Sequence, residues 1–317
     1  MKRVINPSND PYFNLACEEW LMKNSDDDMF MLWQNSPSVI LGLSQNAFAE
    51  VNIPFAEKHG IKIARRITGG GAVYHDLNNI NFSFIVKEDR SDIDFKRFLE
   101  PVVRVLNELG VCAIINGRND IEVDGLKISG NAQCHKYGKI LHHGTLLYSF
   151  DGETLSSVLS VDEEKIKSKG IKSVRSRVGA IKDMTSISLE DLTSRIISAF
   201  SSEEWHLTKS QIEEIKELAD SKFSKWDFIF GASKAYAKKT KRRFNGGTVQ
   251  IEYNSERGII EDVRISGDFF TLGDPVTLEN ALKGCRLTKA DVEKAVINSG
   301  CVIHGVSSEE LSYMFFD

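Results

Sequence analysis

Three consecutive glycines, Gly69-Gly70-Gly71, follow an alternating run from Ile61 to Ile67 that carries the paired arginines Arg65-Arg66. Glycine has no Cβ, so such a loop lets backbone N–H groups come close to a ligand or to another backbone. A strand therefore delivers the chain to a bare loop beside two forked cations, which suits a phosphate or a carboxylate. The spacing is neither that of a phosphate loop, G-x-x-x-x-G-K-[ST], nor that of a dinucleotide loop, G-x-G-x-x-G. Taken alone, the segment is equally compatible with a Gly-rich strand connection whose arginines face solvent.

Helix and strand signals surround this loop. Asn9 and Asp10 offer N-cap oxygens to a helix over Phe13–Lys23, Pro11 suits its first turn, and Glu18 and Glu19 lie among apolar positions. Met29–Trp33 and Ser38–Leu43 read as two strands joined by a turn at Asn35-Ser36-Pro37. A helix over Ile53–His59 stops at Gly60, Asn81–Val86 is a further strand, and a helix over Phe95–Leu109 ends at Gly110. Asp124-Gly125 marks a two-residue hairpin between Ile121–Val123 and Leu126–Ile128, and Ile140–Phe150 continues the strand pattern. Beyond Asp151 the chain reads as helical and charged to about Leu218. Lys238–Arg243 reads as a basic linker. A hairpin (Thr248–Tyr253, Gly258–Ile265) and helices near Leu278–Leu282 and Lys289–Ile297 then make a second unit. The expected class is α+β: a mixed-sheet domain with flanking helices over 1–240 and a small α+β domain over 241–317.

Composition narrows the function classes. The chain has 317 residues, 41% of them hydrophobic, enough for two ordinary cores. A formal charge of −5 lacks the basic excess of a nucleic-acid binder. Cys17, Cys112, Cys134, Cys285 and Cys301 are odd in number and form no C-x-x-C pair. They argue against a disulfide framework or a zinc site and for a reducing compartment. The N-terminal stretch has no signal-like apolar region, and no run approaches the roughly 20 apolar residues of a membrane span. A cytoplasmic protein, not embedded in membrane, is expected, with a monomer as the default state.

Three further segments carry chemistry. Gly117-Arg118-Asn119-Asp120 precedes Asp124-Gly125-Leu126-Lys127-Ile128-Ser129-Gly130-Asn131-Ala132. Lys127, on a short strand, can neutralise charge on a reacting phosphoryl group, and Asp120 can give an oxygen to magnesium. An ordinary surface lysine fits the same position. In His142-His143-Gly144-Thr145-Leu146-Leu147 the adjacent histidines point to opposite faces and cannot easily share a metal. Ser168–Val178 holds Lys169, Lys172, Arg175 and Arg177, either a solvated helix end or a cationic cover for an anion.

Together these blocks resemble the lipoate–protein ligase family. The likeness runs from Phe13-Asn14-Leu15-Ala16-Cys17-Glu18-Glu19 through Arg65-Arg66 and Gly69-Gly70-Gly71-Ala72-Val73-Tyr74-His75-Asp76 to the Gly117–Asp120 segment. It continues through Lys127 and His142-His143-Gly144-Thr145-Leu146-Leu147 to Gly170–Val178, in family order over about the first 180 residues. The resemblance implies a mixed sheet shared with biotin–protein ligases and a separate C-terminal domain. It implies that Arg66, Gly71, Ala72, Val73 and Tyr74 bind ATP and the adenylate, with Mg2+ as cofactor. Lys127 would contact both the lipoyl carbonyl and the phosphate, and His75 and His143 would line the acyl pocket. Val73 and Leu147 are candidates for its apolar wall. The implied partners are lipoic acid and apo lipoyl domains of 2-oxoacid dehydrogenases, or the H protein of glycine cleavage. Two departures stand out: Leu43 occupies a position that is commonly basic, and Gly231-Ala232-Ser233-Lys234 lacks the family's proline.

Rival readings make distinct demands. A cysteine-dependent octanoyl- or lipoyl-transferase of the same fold would need a reactive thiol, with Cys134 the candidate. A nucleic-acid module around Lys234–Arg243 would need aromatic or recognition elements that this run lacks.

Overall fold

The computed structural model describes residues 1–87, 93–117, 119–159, 178–201, 203–230 and 237–316. Its first eleven strands are β1 (Lys2–Ile5), β2 (Met29–Trp33), β3 (Ser38–Leu41), β4 (Lys62–Arg65), β5 (Val73–His75), β6 (Asn79–Lys87), β7 (Ile114–Asn116), β8 (Asp120–Val123), β9 (Leu126–Lys136), β10 (Lys139–Leu147) and β11 (Glu203–His206). Eight of them form one sheet in the order β11-β1-β2-β6-β10-β9-β8-β7. Pairing is parallel at β11-β1-β2 and antiparallel from β2 onward. A second sheet, β4-β3-β5, carries the arginine pair and opens into the glycine loop. The mixed sheet with flanking helices and a smaller α+β C-terminal unit agrees with the sequence expectation.

The first helix, α1 (Pro11–Asn24), starts where its cap residues place it: the Asp10 carboxylate accepts from the N–H groups of Tyr12 and Phe13. It packs against one face of the main sheet and is buried on nearly all sides, Glu18 and Glu19 included. The opposite face is covered by the helix Lys96–Glu108, whose Phe98, Leu99, Val102, Val105 and Leu106 meet Phe82, Phe84 and Ile140. The β8–β9 hairpin turns at Asp124 and Gly125, both at positive φ (51° and 78°), as an Asp-Gly turn requires.

β2 and β3 form where two strands are expected, and the turn between them sends them to different sheets. Two expectations need correction. The polar segment Glu203–His206 is a strand parallel to β1 at the sheet edge, exposed on both faces over most of its length, so it lacks the apolar alternation of a half-buried strand. Lys238–Arg243 is no linker but most of β12 (Lys238–Phe244), which pairs with β13 (Gly247–Glu256). Lysines on an edge strand discourage unwanted pairing with other chains, so a basic run there looks like a linker in composition. β13 and β14 (Ile259–Gly267) complete that sheet, and the short pair β15 (Thr271–Leu272) and β16 (Val302–Ile303) follows. The helices Pro275–Leu282, Lys289–Asn298 and Ser308–Tyr313 close over this second core.

His142 and His143 lie on opposite faces of β10, as adjacent strand residues must. His142 is fully buried among Phe82, Phe84, Phe95 and Phe98, stacked on Phe98 at 4.6 Å, and neither ring nitrogen has a partner among the described residues. Burial in this aromatic cage holds it neutral, pushing its pKa well below the ordinary value. A histidine whose folded pKa is depressed stabilises the fold fully above the unfolded pKa, near 6.5. That stability is lost as pH falls, because the unfolded chain takes the proton first. The expected slope is up to about 1.4 kcal/mol per pH unit for each such histidine. Urea unfolding of His142→Phe should therefore show a weaker loss of stability between pH 7 and pH 5 than wild type.

Candidate active site

The paired arginines are built into the protein interior. Arg65 is 3% exposed and donates only to backbone: Nη1 to the carbonyls of Gly42 (2.8 Å), Leu43 (3.0 Å) and Gln45 (2.7 Å), and Nε to those of Phe228 and Ile229 (both 2.9 Å). It pins the loop after β3 to the helix Trp226–Phe230. Arg66, 6% exposed, does the same for the glycine loop. Its Nη2 donates to Gly69 (2.6 Å) and Gly71 (2.8 Å), its Nη1 to Ile40 (3.1 Å), and its Nε to the Thr68 hydroxyl (3.0 Å). Burial lowers both guanidinium pKa values to about 10, still far above neutrality. Both charges are met by carbonyl dipoles, so the loops they hold sit over a positive potential.

Two of the three loop glycines are required by close packing. A Cβ on Gly69 would lie 2.2 Å from the Phe269 carbonyl oxygen. Gly70 has φ of +91° and a missing Cβ only 2.9 Å from Arg66 Nη2, and its N–H donates to the Phe269 carbonyl at 3.2 Å. The C-terminal unit therefore rests directly on the loop, and Phe270 reaches on to Phe95 at 5.2 Å. Gly71 is exposed, with open space where its Cβ would be. It is the glycine of the three with room for a ligand.

Lys127 opens β9. Its ammonium lies 2.7 Å from an Asp120 oxygen, and both side chains are about one-third exposed. A Cβ on Gly130 would stand 2.9 Å from Lys127 Cε and 3.0 Å from Nζ, so the lysine folds back across a bare glycine to reach its partner. Gly130 was visible in the motif, but its role depends on a β-bulge at Ile121/Glu122 that no spacing rule reveals. The Lys127 carbonyl accepts from Gly179 N–H at 2.9 Å. β10 joins this lysine to the glycine loop. His143 meets Thr68 at 2.8 Å, and Thr145, two residues on and on the same face, accepts the Gly130 N–H at 3.1 Å. The two contacts are about 7 Å apart along the strand.

The remaining candidates fall around this frame. Ala72, Val73 and Tyr74 are half-buried, and burial with nearby Asp76 and Asp151 raises the Tyr74 phenol to about 12. His75 is buried, takes the Asn35 amide at 3.1 Å through Nδ1, and leaves Nε2 unpaired among the described residues. Burial first, then Arg66 and His143, push its pKa down to about 3, so it is neutral. It stands edge-on to Trp33 at 6.3 Å. Val73 packs against the same core as Trp33, and Leu147 is half-buried at the end of β10. Glu18, which no motif argument singled out, reaches His143 Nδ1 at 2.8 Å. Among the described residues no group of three or more His, Cys, Asp or Glu is gathered to hold a metal. Arg118, the cations of Ser168–Arg177 and the Gly231–Lys234 departure lie outside the described residues.

Cys134 does not suit a nucleophile. It is 7% exposed on the α1 side of β9, and burial raises its thiol to about 12. A thiolate is the reactive form, so this cysteine is inert at neutral pH.

Gly130→Ala tests how Lys127 is placed. The added methyl meets only the tip of a flexible side chain, so thermal stability should change little. The ammonium must move, and catalytic turnover should fall about 10-fold or more, since misplacement of this order costs up to about 10²-fold.

A family model described as the lipoyl protein ligase A/B catalytic domain matches residues 10–201, and one described as the bacterial lipoate protein ligase C-terminus matches residues 233–315. Lipoate–protein ligase 1 of Staphylococcus aureus is 41% identical over 306 residues, covering 93% of this chain and 93% of that protein. The solved structure of P. falciparum LipL1 in complex with lipoate shares the fold, with a TM-score of 0.78 at 22% identity over 93% of each chain. A lipoate-protein ligase A structure bound with ATP has a TM-score of 0.65 at 29% identity, covering 73% of this chain and 99% of that one. With both modules matched in order, the chain belongs to the lipoate–protein ligase family.

Proposed function

We propose that this chain activates lipoate with ATP, forming lipoyl-AMP and pyrophosphate, and then transfers the lipoyl group to a lysine of an apo lipoyl domain or H protein. The observation that carries the reading is Lys127, held over Gly130 by Asp120 on the strand face that also bonds the glycine loop. In the first step a carboxylate oxygen attacks the α-phosphorus and pyrophosphate leaves. Negative charge gathers on the phosphoryl oxygens, where a preorganised ammonium and loop N–H groups lower the barrier. Arg66 supports this step through the loop it shapes, because its own donors are engaged with carbonyls. In the second step the carrier amine attacks the acyl carbonyl, and AMP leaves as the Lys127-stabilised anion.

Magnesium would enter this site with the nucleotide, Asp120 offering it the carboxylate oxygen that Lys127 leaves free. Asp120 is the carboxylate beside Lys127, and Mg2+ is commonly held by one or two carboxylates together with substrate phosphates. When bound, the ion would offset phosphate charge. The lipoyl chain suits the apolar ground between Trp33, Val73 and the neutral His75.

Lipoate-dependent release of pyrophosphate from ATP checks the proposal directly. It should occur with lipoate, fail with biotin, and fall about 10²-fold or more in Lys127→Ala. Cys134→Ala should turn over like wild type. Acyl transfer without ATP, abolished by Cys134→Ala, would contradict the ligase reading.

A further inference from the structure

A continuous chain of buried hydrogen bonds runs from α1 to the glycine loop. The Arg66 Nε–H reaches the Thr68 hydroxyl at 3.0 Å, Thr68 meets His143 Nε2 at 2.8 Å, and His143 Nδ1 meets Glu18 Oε1 at 2.8 Å. The Ser83 hydroxyl donates to the same Glu18 oxygen at 2.5 Å, and Trp33 Nε1–H donates to Ser83 at 2.8 Å. Glu18, Thr68 and Ser83 are fully buried, and Trp33, Arg66 and His143 are 5%, 6% and 7% exposed.

The groups present limit how donors and acceptors run along this chain. Arginine has no acceptor, so Arg66 must donate to Thr68, whose proton is then free to go to His143. A His143 that accepts that proton at Nε2 carries its own on Nδ1, facing the Glu18 acceptor. In that arrangement every proton in the chain points toward Glu18. A carboxylate at the origin thus dictates which nitrogen of His143 is a donor, which way the Thr68 hydroxyl turns, and where the Arg66 fork lies. The other arms of that fork hold the carbonyls of Ile40, Gly69 and Gly71.

We propose that Glu18 is a positioning residue for nucleotide binding, acting through His143, Thr68 and Arg66 on the glycine loop. The proposal rests on the ligase reading above and adds a direction to it: α1 orders the loop from within the core. Thr68 is the link whose loss breaks the chain with the least change of shape. Thr68→Val removes the hydroxyl at nearly constant volume, whereas Thr68→Ser retains it.

The test is steady-state pyrophosphate release by Thr68→Val, Thr68→Ser, Glu18→Gln and the Glu18→Gln/Thr68→Val pair, with KM for ATP and for lipoate measured separately. Thr68→Val should raise the KM for ATP about 10-fold or more while the KM for lipoate stays within about 3-fold, since the lost contact orients the loop. Thr68→Ser should restore the wild-type value within about 3-fold. Groups acting as one network are not additive, so the double variant should be no worse than the poorer single one. Nitrogen NMR of the His143 imidazole should show a proton on Nδ1 in wild type, a readout independent of turnover. An unchanged KM for ATP in Thr68→Val, fully additive losses, or the Nε2-protonated tautomer would overturn the relay. If wild type releases no pyrophosphate with lipoate, the ligase reading itself fails, and the tautomer still decides whether the chain of bonds exists.

Discussion

Two buried guanidinium groups hold the catalytic half of this protein together. Arg65 ends one short strand and Arg66 follows it, yet neither points at solvent and neither forms an ion pair among the described residues. Burying such charges is costly unless hydrogen bonds and dipoles offset the lost hydration. The chain meets that cost with backbone carbonyls, drawing two loops, 42–45 and 69–71, and the helix Trp226–Phe230 toward one strand end. The planar five-donor fork of arginine is what makes this possible, and a lysine point charge cannot replace it.

The same constraint explains why the glycine loop is placed between two units. Arg66 holds it from beneath, and Phe269-Phe270 of the C-terminal unit lie against it. Gly42 also participates: its missing Cβ would stand 1.9 Å from the Gly70 carbonyl oxygen. Side-chain-free backbone at Gly42, Gly69 and Gly70 serves close packing, which leaves Gly71 as the position open toward a ligand. Lys127 approaches from the other side, placed by Asp120 across a fourth bare position, Gly130. The reactive geometry is thus set by absences of Cβ as much as by charged groups.

Local signals in the sequence carried much of the fold. The Asp10 cap, the Asp124-Gly125 turn and the helix stops at Gly60 and Gly110 each follow from backbone preferences that act over a few residues. Edge strands were harder to read: β11 and β12 are exposed on both faces over most of their length, so no buried face imposes period-2 alternation. The candidate residues could be named from the sequence, but not their geometry. Arg65 and Arg66 looked suited to clamp a ligand, whereas their donors face inward, a fact decided by loops far apart in sequence. Glu18 was read only as part of a helix and a family block, because its partners His143 and Ser83 are 125 and 65 residues away.

The central claim is that the Arg66 fork gives the glycine loop the shape proposed to bind the nucleotide. Calorimetric titration of ATP, without lipoate, into wild type and Arg66→Lys tests it most directly, since charge is kept while the fork is lost. The account predicts affinity weaker by about 10-fold or more in Arg66→Lys, comparable to losing a charged hydrogen bond. Equal affinity in the two proteins would mean that the positive charge suffices, and would contradict it.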